Sequence, residues 1–281
     1  MSTSLSYLTT QFSDSSGSGS SLLNTIYGIG GSPSGSGNPV QALQSAEQNQ
    51  TQDIKATAAG PMVKTAIAQF TRAVNSAKSM TQLLANPAFM NVLLTANHMS
   101  DQIGYTALAT RALTSKLADP KSLVNKLIDT RWKTLAGSYN FSSTGLSSLR
   151  NPATIASIAK AYATATWQTS QDSVTPGLSN ALAFKAQASS IKTVDQILGN
   201  PTVRTVVTTA LGIPAQIAFQ DLIAQENAIS SQLKVSRFQD PKFVESFVQR
   251  YLIANQANVS SAPSSSPDLT TLAVRGQGIL A

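Results

Sequence analysis

Cysteine is absent from this chain of 281 residues, and histidine occurs once, at position 98. Without cysteine there is no disulfide, no thiolate nucleophile and no thiolate metal site. A lone His98 leaves three-ligand zinc sites and Ser-His-Asp triads without the partners they need. No stretch approaches the roughly 20 consecutive apolar residues required to span a bilayer, so membrane insertion is not expected. Basic residues are missing from the start: Lys55 is the first, preceded only by the acidic Asp14, Glu47 and Asp53. A cleaved secretory signal opens on a basic stretch and a mitochondrial presequence is rich in arginine, so neither is expected. Strand signals are equally scarce, with no alternating run bounded by Asn-Gly or Asp-Gly turns.

What is present is a positive balance. The chain carries a net +7, and because residues 1–54 carry −3, residues 55–281 carry +10 (7 + 3). The lysines and arginines are spread singly along the helices. Diffuse charge of this kind steers association with acidic partners. A nucleic-acid backbone is a weaker alternative, because little beyond Arg131-Trp132-Lys133 interleaves aromatic with basic residues.

The chain also repeats itself. Ser79–Gln102 reads SMTQLLANPAFMNVLLTANHMSDQ, and Thr193–Gln216 reads TVDQILGNPTVRTVVTTALGIPAQ. Asn86-Pro87 falls on Asn200-Pro201, an offset of 114 (201 − 87), and Asp119-Pro120-Lys121 falls on Asp240-Pro241-Lys242, an offset of 121 (241 − 120). The second copy therefore holds seven extra residues (121 − 114). Each copy opens on a capping box, Ser79-x-x-Gln82 and Thr193-x-x-Gln196. An asparagine N-cap with proline in the first turn follows in both. Phe89, Val92 and Leu93 then match Val203, Val206 and Val207 on one apolar face. Longer helices are expected from Ser100 and from Pro214. A last helix in each copy is expected after Asp119-Pro120 and Asp240-Pro241, with Leu123, Val124, Leu127 and Ile128 answering Phe243, Val244, Phe247 and Val248. What recurs is helix starts and apolar faces, with no pair of reactive groups.

Outside the copies, Gln41–Ala58 reads as a polar helix and Pro61–Val74 as an amphipathic one, with Val63, Ile67 and Phe70 on one face. Phe141–Leu149 is a serine-rich turn region, and Asn151-Pro152 opens a helix to about Gln168. The expected organisation is a disordered Ser/Gly-rich tail over 1–38, a first helical repeat over 39–143, a second over 144–256, and a flexible tail over 257–281. Gly28-x-Gly30-Gly31 lacks the preceding strand and the Gly-Lys-Ser/Thr of a phosphate loop, so it reads as linker. Leu22, Leu23, Ile26 and Tyr27 in the first tail, and Leu272, Val274, Ile279 and Leu280 in the last, are short apolar patches suited to partners. The expected fold is all-α and internally duplicated. Val203–Thr209 is read as helix, against its β-branched propensity, because it aligns with Phe89–Thr95.

The run Leu117–Trp132 followed by Ser138-Tyr139-Asn140-Phe141 resembles domain-of-unknown-function family 1217. The pattern is an apolar helix after an Asp-Pro start, then Asp-x-Arg-aromatic, filled by Asp129, Arg131 and Trp132. An aromatic-Asn-Phe end follows, filled by Tyr139-Asn140-Phe141. The second copy keeps Arg250-Tyr251 but loses the aspartate. The resemblance implies a flagellum-associated role in bacteria and implies no reaction.

The expectation is a non-enzymatic structural or assembly protein without metal or cofactor, exported or docked at the flagellum by a non-cleaved signal. Its partners would be flagellar proteins or further copies of itself. The alternative is a cytoplasmic adaptor that binds an acidic protein or nucleic acid through basic helices. Asp129 is expected to pair with a neighbouring helix or with Lys126 or Lys133 across a turn. Otherwise it binds a ligand together with Arg131. His98 aligns with Gly212 near a helix end, where a polar side chain is unremarkable.

Overall fold

Asparagine–proline pairs set the frame. At Asn38-Pro39, Asn86-Pro87, Asn151-Pro152 and Asn200-Pro201 the asparagine Oδ1 accepts a backbone N–H two or three residues on, at 2.9–3.3 Å. Each proline occupies the first turn, where its missing N–H costs nothing. Residues 38–261 are described by the structure, a computed structural model. Before Asn151 the helices are α1 Pro39–Ala59, α2 Pro61–Ser76, α3 Met80–Leu84, α4 Pro87–Ala96, α5 Thr106–Leu113, α6 Leu123–Lys126, α7 Arg131–Tyr139, α8 Phe141–Thr144 and α9 Leu146–Leu149. After it come α10 Pro152–Gln171, α11 Leu178–Gln187, α12 Val194–Leu198, α13 Pro201–Leu211, α14 Leu222–Ser230 and α15 Pro241–Ser261. The described residues hold no strand. None of their helices is long and apolar enough to cross a membrane.

The duplication is legible in bonds. In α3, Ser79 Oγ accepts the Gln82 N–H at 3.1 Å while Gln82 Oε1 reaches back to Lys78 N at 2.8 Å. In α12, Thr193 Oγ1 accepts from Gln196 at 3.3 Å, and Gln196 Oε1 reaches back to Lys192 N at 2.6 Å. Helices α4 and α13 both end in a Schellman-type turn. Met99 N–H bonds Leu94 O at 2.8 Å around a left-handed His98 (φ 55°), and Ile213 N–H bonds Thr208 O at 2.9 Å around a left-handed Gly212 (φ 69°). The correspondence extends back beyond α3 and α12, since α1 and α10 share the Asn-Pro start and are 21 and 20 residues long.

Two cores form. Phe70, Leu84, Phe89, Leu93, Trp132, Leu135 and Ile158 belong to the first, with Phe70 and Phe89 stacked at 5.4 Å. The second holds Leu178, Phe184, Val206, Phe238, Phe247, Val248 and Tyr251, with Phe184, Phe238 and Phe247 packed at 5.2–5.9 Å. Helix α1 does not serve the half it opens: its Leu43 and Ala46 are buried in the second core. Reciprocally, α10 places Ile158 in the first core, while Trp167 further along it joins the second. This exchange of leading helices ties the halves together through 38–261, so the boundary drawn at 143/144 is not a packing boundary.

Several expected elements differ. The longer helices from Ser100 and Pro214 are each broken into a 3₁₀ turn, Ser100–Gln102 or Ala215–Phe219, and a short α-helix. In the second copy Asp221 causes the restart by capping Ala224 N at 2.7 Å. After Asp240 the last helix runs unbroken, through Asn258–Ser261, which the sequence assigned to a linker. After Asp119 it does not. Only the single turn α6 forms, because Asn125 Nδ2 donates to the carbonyls of Leu117 and Asp119, both at 2.9 Å, and holds the chain in a turn. Leu127 is consequently half-buried and Ile128 is 84% exposed, instead of both lining a core face.

Candidate functional site

Where the helix breaks, the chain builds a charged cluster. Asp129 Oδ1 accepts the Arg131 backbone N–H at 3.0 Å, which starts α7. The same carboxylate grips the Arg131 side chain, Nε to Oδ1 at 3.0 Å and Nη2 to Oδ2 at 2.7 Å. The other edge of the guanidinium meets Asp101 in a second fork, Nη1 to Oδ1 at 2.9 Å and Nη2 to Oδ2 at 2.8 Å. Nη1 also donates to the His98 carbonyl at 2.6 Å. Bidentate pairing of this kind is the strong form of the arginine–carboxylate contact. Arg131 is 7% exposed, so its charge is held by two acids and a carbonyl instead of by water.

The electrostatics follow from burial and pairing. Burial alone would lower the Arg131 pKa, but the hydrogen bonds and charges of Asp129 and Asp101 outweigh it and raise it. For Asp101 burial pushes upward, yet the bonds from Arg131 and Gln102 win and hold the carboxyl below its usual range. Burial, then the Arg131 charge, lowers the His98 pKa.

The cluster sits at a seam between the copies. Thr130 N–H donates to the Gly199 carbonyl at 2.9 Å. A Cβ on Gly199 would lie 2.5 Å from Thr130 Cγ2 and 2.7 Å from the Ile128 carbonyl oxygen, so the approach requires glycine. Clefts of about 320 and 230 Å³ border His98. The larger is bounded by Asp101 and Arg131 from the first copy, Thr202 and Thr205 from α13, and Gln168 from α10. Gln168 is 3% exposed, and its Oε1 has no hydrogen-bond partner in the protein. Among the described residues, no group of three or more His, Asp or Glu side chains is placed to hold a metal.

Of the candidate residues, Asp129, Arg131 and Trp132 lie among those the structure describes. Asp129 pairs with Arg131, two residues on, and not with Lys126 or Lys133. Trp132 is 1% exposed inside the first core. Leu22, Leu23, Ile26, Tyr27, Leu272, Val274, Ile279 and Leu280 lie outside the described residues. Sequence reasoning missed Asp101, which reaches Arg131 from 30 positions away; no local spacing signals that pairing. It also missed the Gly199 contact. A signal did exist for His98, whose alignment with Gly212 marks a left-handed position.

The model of a family described as "Protein of unknown function (DUF1217)" matches residues 96–244, and the chain belongs to that family. The matched span contains Asp101, Asp129, Arg131 and Gly199 and crosses from one copy into the other. The crystal structure of protein AGR_C_984 from Agrobacterium tumefaciens is similar, with a TM-score of 0.67 and 22% identity. The likeness covers 78% of this chain and 93% of that one, and it concerns the fold alone. No curated protein matches the chain.

Proposed function

We propose that this member of the DUF1217 family is a non-enzymatic structural or assembly protein, exported to or docked at the bacterial flagellum and acting through helical packing. The observation that carries the non-enzymatic reading is how the seam uses its charge. Arg131 spends its Nε and both terminal nitrogens on Asp129, Asp101 and His98 O, so the cation clamps the first copy's turn. The flagellar placement is supported by the resemblance of the Asp129–Trp132 and Tyr139–Phe141 motifs. The test is location in cells with and without a working flagellar export gate. Recovery from the medium or from flagellar basal structures only when the gate works is the expected result; cytoplasmic retention in both strains rejects it.

One feature favours the adaptor as a second reading. Helices α1, α2 and α10 frame a groove of about 620 Å³ with Ile54, Ala58, Ile67, Ala159 and Ala163 on its walls. Lys55 and Lys160 line it and form no ion pair among the described residues. In the second half, by contrast, Lys185 is bridged by Glu47 and Glu245. An acidic helix would supply the missing carboxylates. Binding that weakens steeply between low and physiological salt supports this reading, and a salt-insensitive complex opposes it.

A further inference from the structure

Large apolar side chains left exposed on both copies gather beside one short helix. Ile128 is 84% exposed, Phe219 89%, Leu222 56% and Ile223 69%. Ile128 is seated at the C-terminal end of α12 by the Thr130–Gly199 hydrogen bond and by the approach of its own carbonyl to Gly199. At the other end of α12, the Asp195 carboxyl lies beside that of Glu226 on α14, which packs on α12. Helix α12 has five residues, about 8 Å of rise, so Ile128 and α14 flank the same turn and a half. Phe219, Leu222 and Ile223 lie in the segment between α13 and α15, where the second copy carries its extra residues. The shared parts of the copies build the fold, and the divergent part carries this surface.

The charges on this face are divided. Asp195, Asp221 and Glu226 lie on its α12–α14 side, and none forms an ion pair with a lysine or arginine among the described residues. Arg204 of α13 turns instead to the Leu198 carbonyl, at 3.2 Å. The Asp195 hydrogen bond, then desolvation and the Asp195 charge, raise the Glu226 pKa, as befits acids lacking a cation. On the Ile128 side the exposed charges along residues 119–133 are Lys121, Lys126 and Lys133 against the one acid Asp119, whose Oδ1 accepts the Lys121 backbone N–H at 2.9 Å. The four apolar side chains offer on the order of 500 Å², over half of the roughly 800 Å² that each partner gives a stable interface.

We propose that this face docks a second copy of the same chain about a twofold axis, with Lys121 and Lys126 of one copy against Asp195, Asp221 and Glu226 of the other, and Ile128, Phe219, Leu222 and Ile223 between them. A twofold places the same patch on both partners, and a patch with one basic and one acidic pole is complementary to itself. The surface deepens the assembly reading. It stands on separate observations, so a monomer in solution removes this interface without touching the localisation test.

The experiment is sedimentation velocity on the full chain with paired charge reversals at exposed positions. The wild type is expected to dimerise. Lys126→Glu and Glu226→Lys each set like charges against one another and should weaken dimerisation by roughly tenfold or more. An equimolar mixture of the two variants restores opposite charges at both contacts and should recover dimer to near the wild-type level. Circular dichroism checks that each variant keeps its helix content. A wild type that stays monomeric, variants that dimerise unchanged, or a mixture that fails to recover each overturn the proposal. A monomer that instead binds a basic amphipathic peptide, with binding lost in Glu226→Lys, assigns the face to a basic partner and likewise overturns self-pairing.

Discussion

The two copies begin alike and end differently. Both open on an asparagine–proline start and on a hydroxyl cap whose glutamine reaches back to the preceding lysine, yet the second finishes in one continuous helix, α15, while the first breaks after Asp119 and restarts at Arg131. In α15 the aromatic Tyr251 is buried and Arg250 is exposed. In the first copy Trp132 takes the buried aromatic place, and Arg131 is drawn inside by Asp129 and Asp101. The break is what lets Ile128 and Thr130 reach Gly199 across the seam. Of the two copies, the interrupted one makes the contact across the seam.

Removing the clamp should give the largest effect. Arg131→Met leaves Asp101 and Asp129 facing each other without their cation and should cost about 3 kcal/mol, the lower end of the range for breaking a buried pair because Asp101 is 51% exposed. Urea unfolding measures it. Arg131→Lys should recover only part, since an ammonium cannot form both forks. The aligned pair Phe247 and Leu127 tests the asymmetry itself. Phe247→Ala should cost about 3–5 kcal/mol in a well-packed core, and Leu127→Ala, half-buried on the broken segment, well under half of that. Equal losses in thermal unfolding would show that the first copy's segment is packed as helix after all.

Gly199→Ala places a methyl group against the Ile128 carbonyl, a backbone atom that cannot swing away, and should cost about 1–3 kcal/mol. The same change at Gly104, with open space around it, should not. The smallest effect concerns His98, which holds a left-handed φ that its counterpart Gly212 adopts freely. His98→Gly should stabilise by a few tenths of a kcal/mol, left-handed strain relieved less the added chain entropy. The pH dependence has a definite sign. The folded His98 pKa lies below the ordinary 6.5, so the stability from neutral His98 is complete above that value and is lost as pH falls through the lowered one. Asp101, also lowered, adds a further loss below the ordinary carboxylate range. Unfolding followed from pH 7 downward should slope through the first window in the wild type and flatten there in His98→Gly.

Much of the fold was legible because its signals are local. Asn86, Asn151 and Asn200 announce helix starts whose bonds close within three residues, and the β-branched run at Val203 reads correctly only through its alignment with Phe89. The site was less legible. Asp129 and Arg131 stand out in the motif, but their third member, Asp101, comes from a turn after α4, and the carbonyl of His98 carries no side-chain signature. The expected helix over Leu123–Ile128 fails because apolar spacing was judged without Asn125, whose side chain competes for the backbone.

The sequence by itself determined that this protein is helical, where most helices begin and that the pattern occurs twice, because capping and amphipathic spacing act over one or two turns. Only the tertiary structure decided that α1 packs in the second core, that Arg131 is closed between two acids, and that Gly199 receives the first copy's broken end. Those outcomes depend on contacts between residues 30 to well over 100 positions apart, whose free energy exists only once the helices have come together.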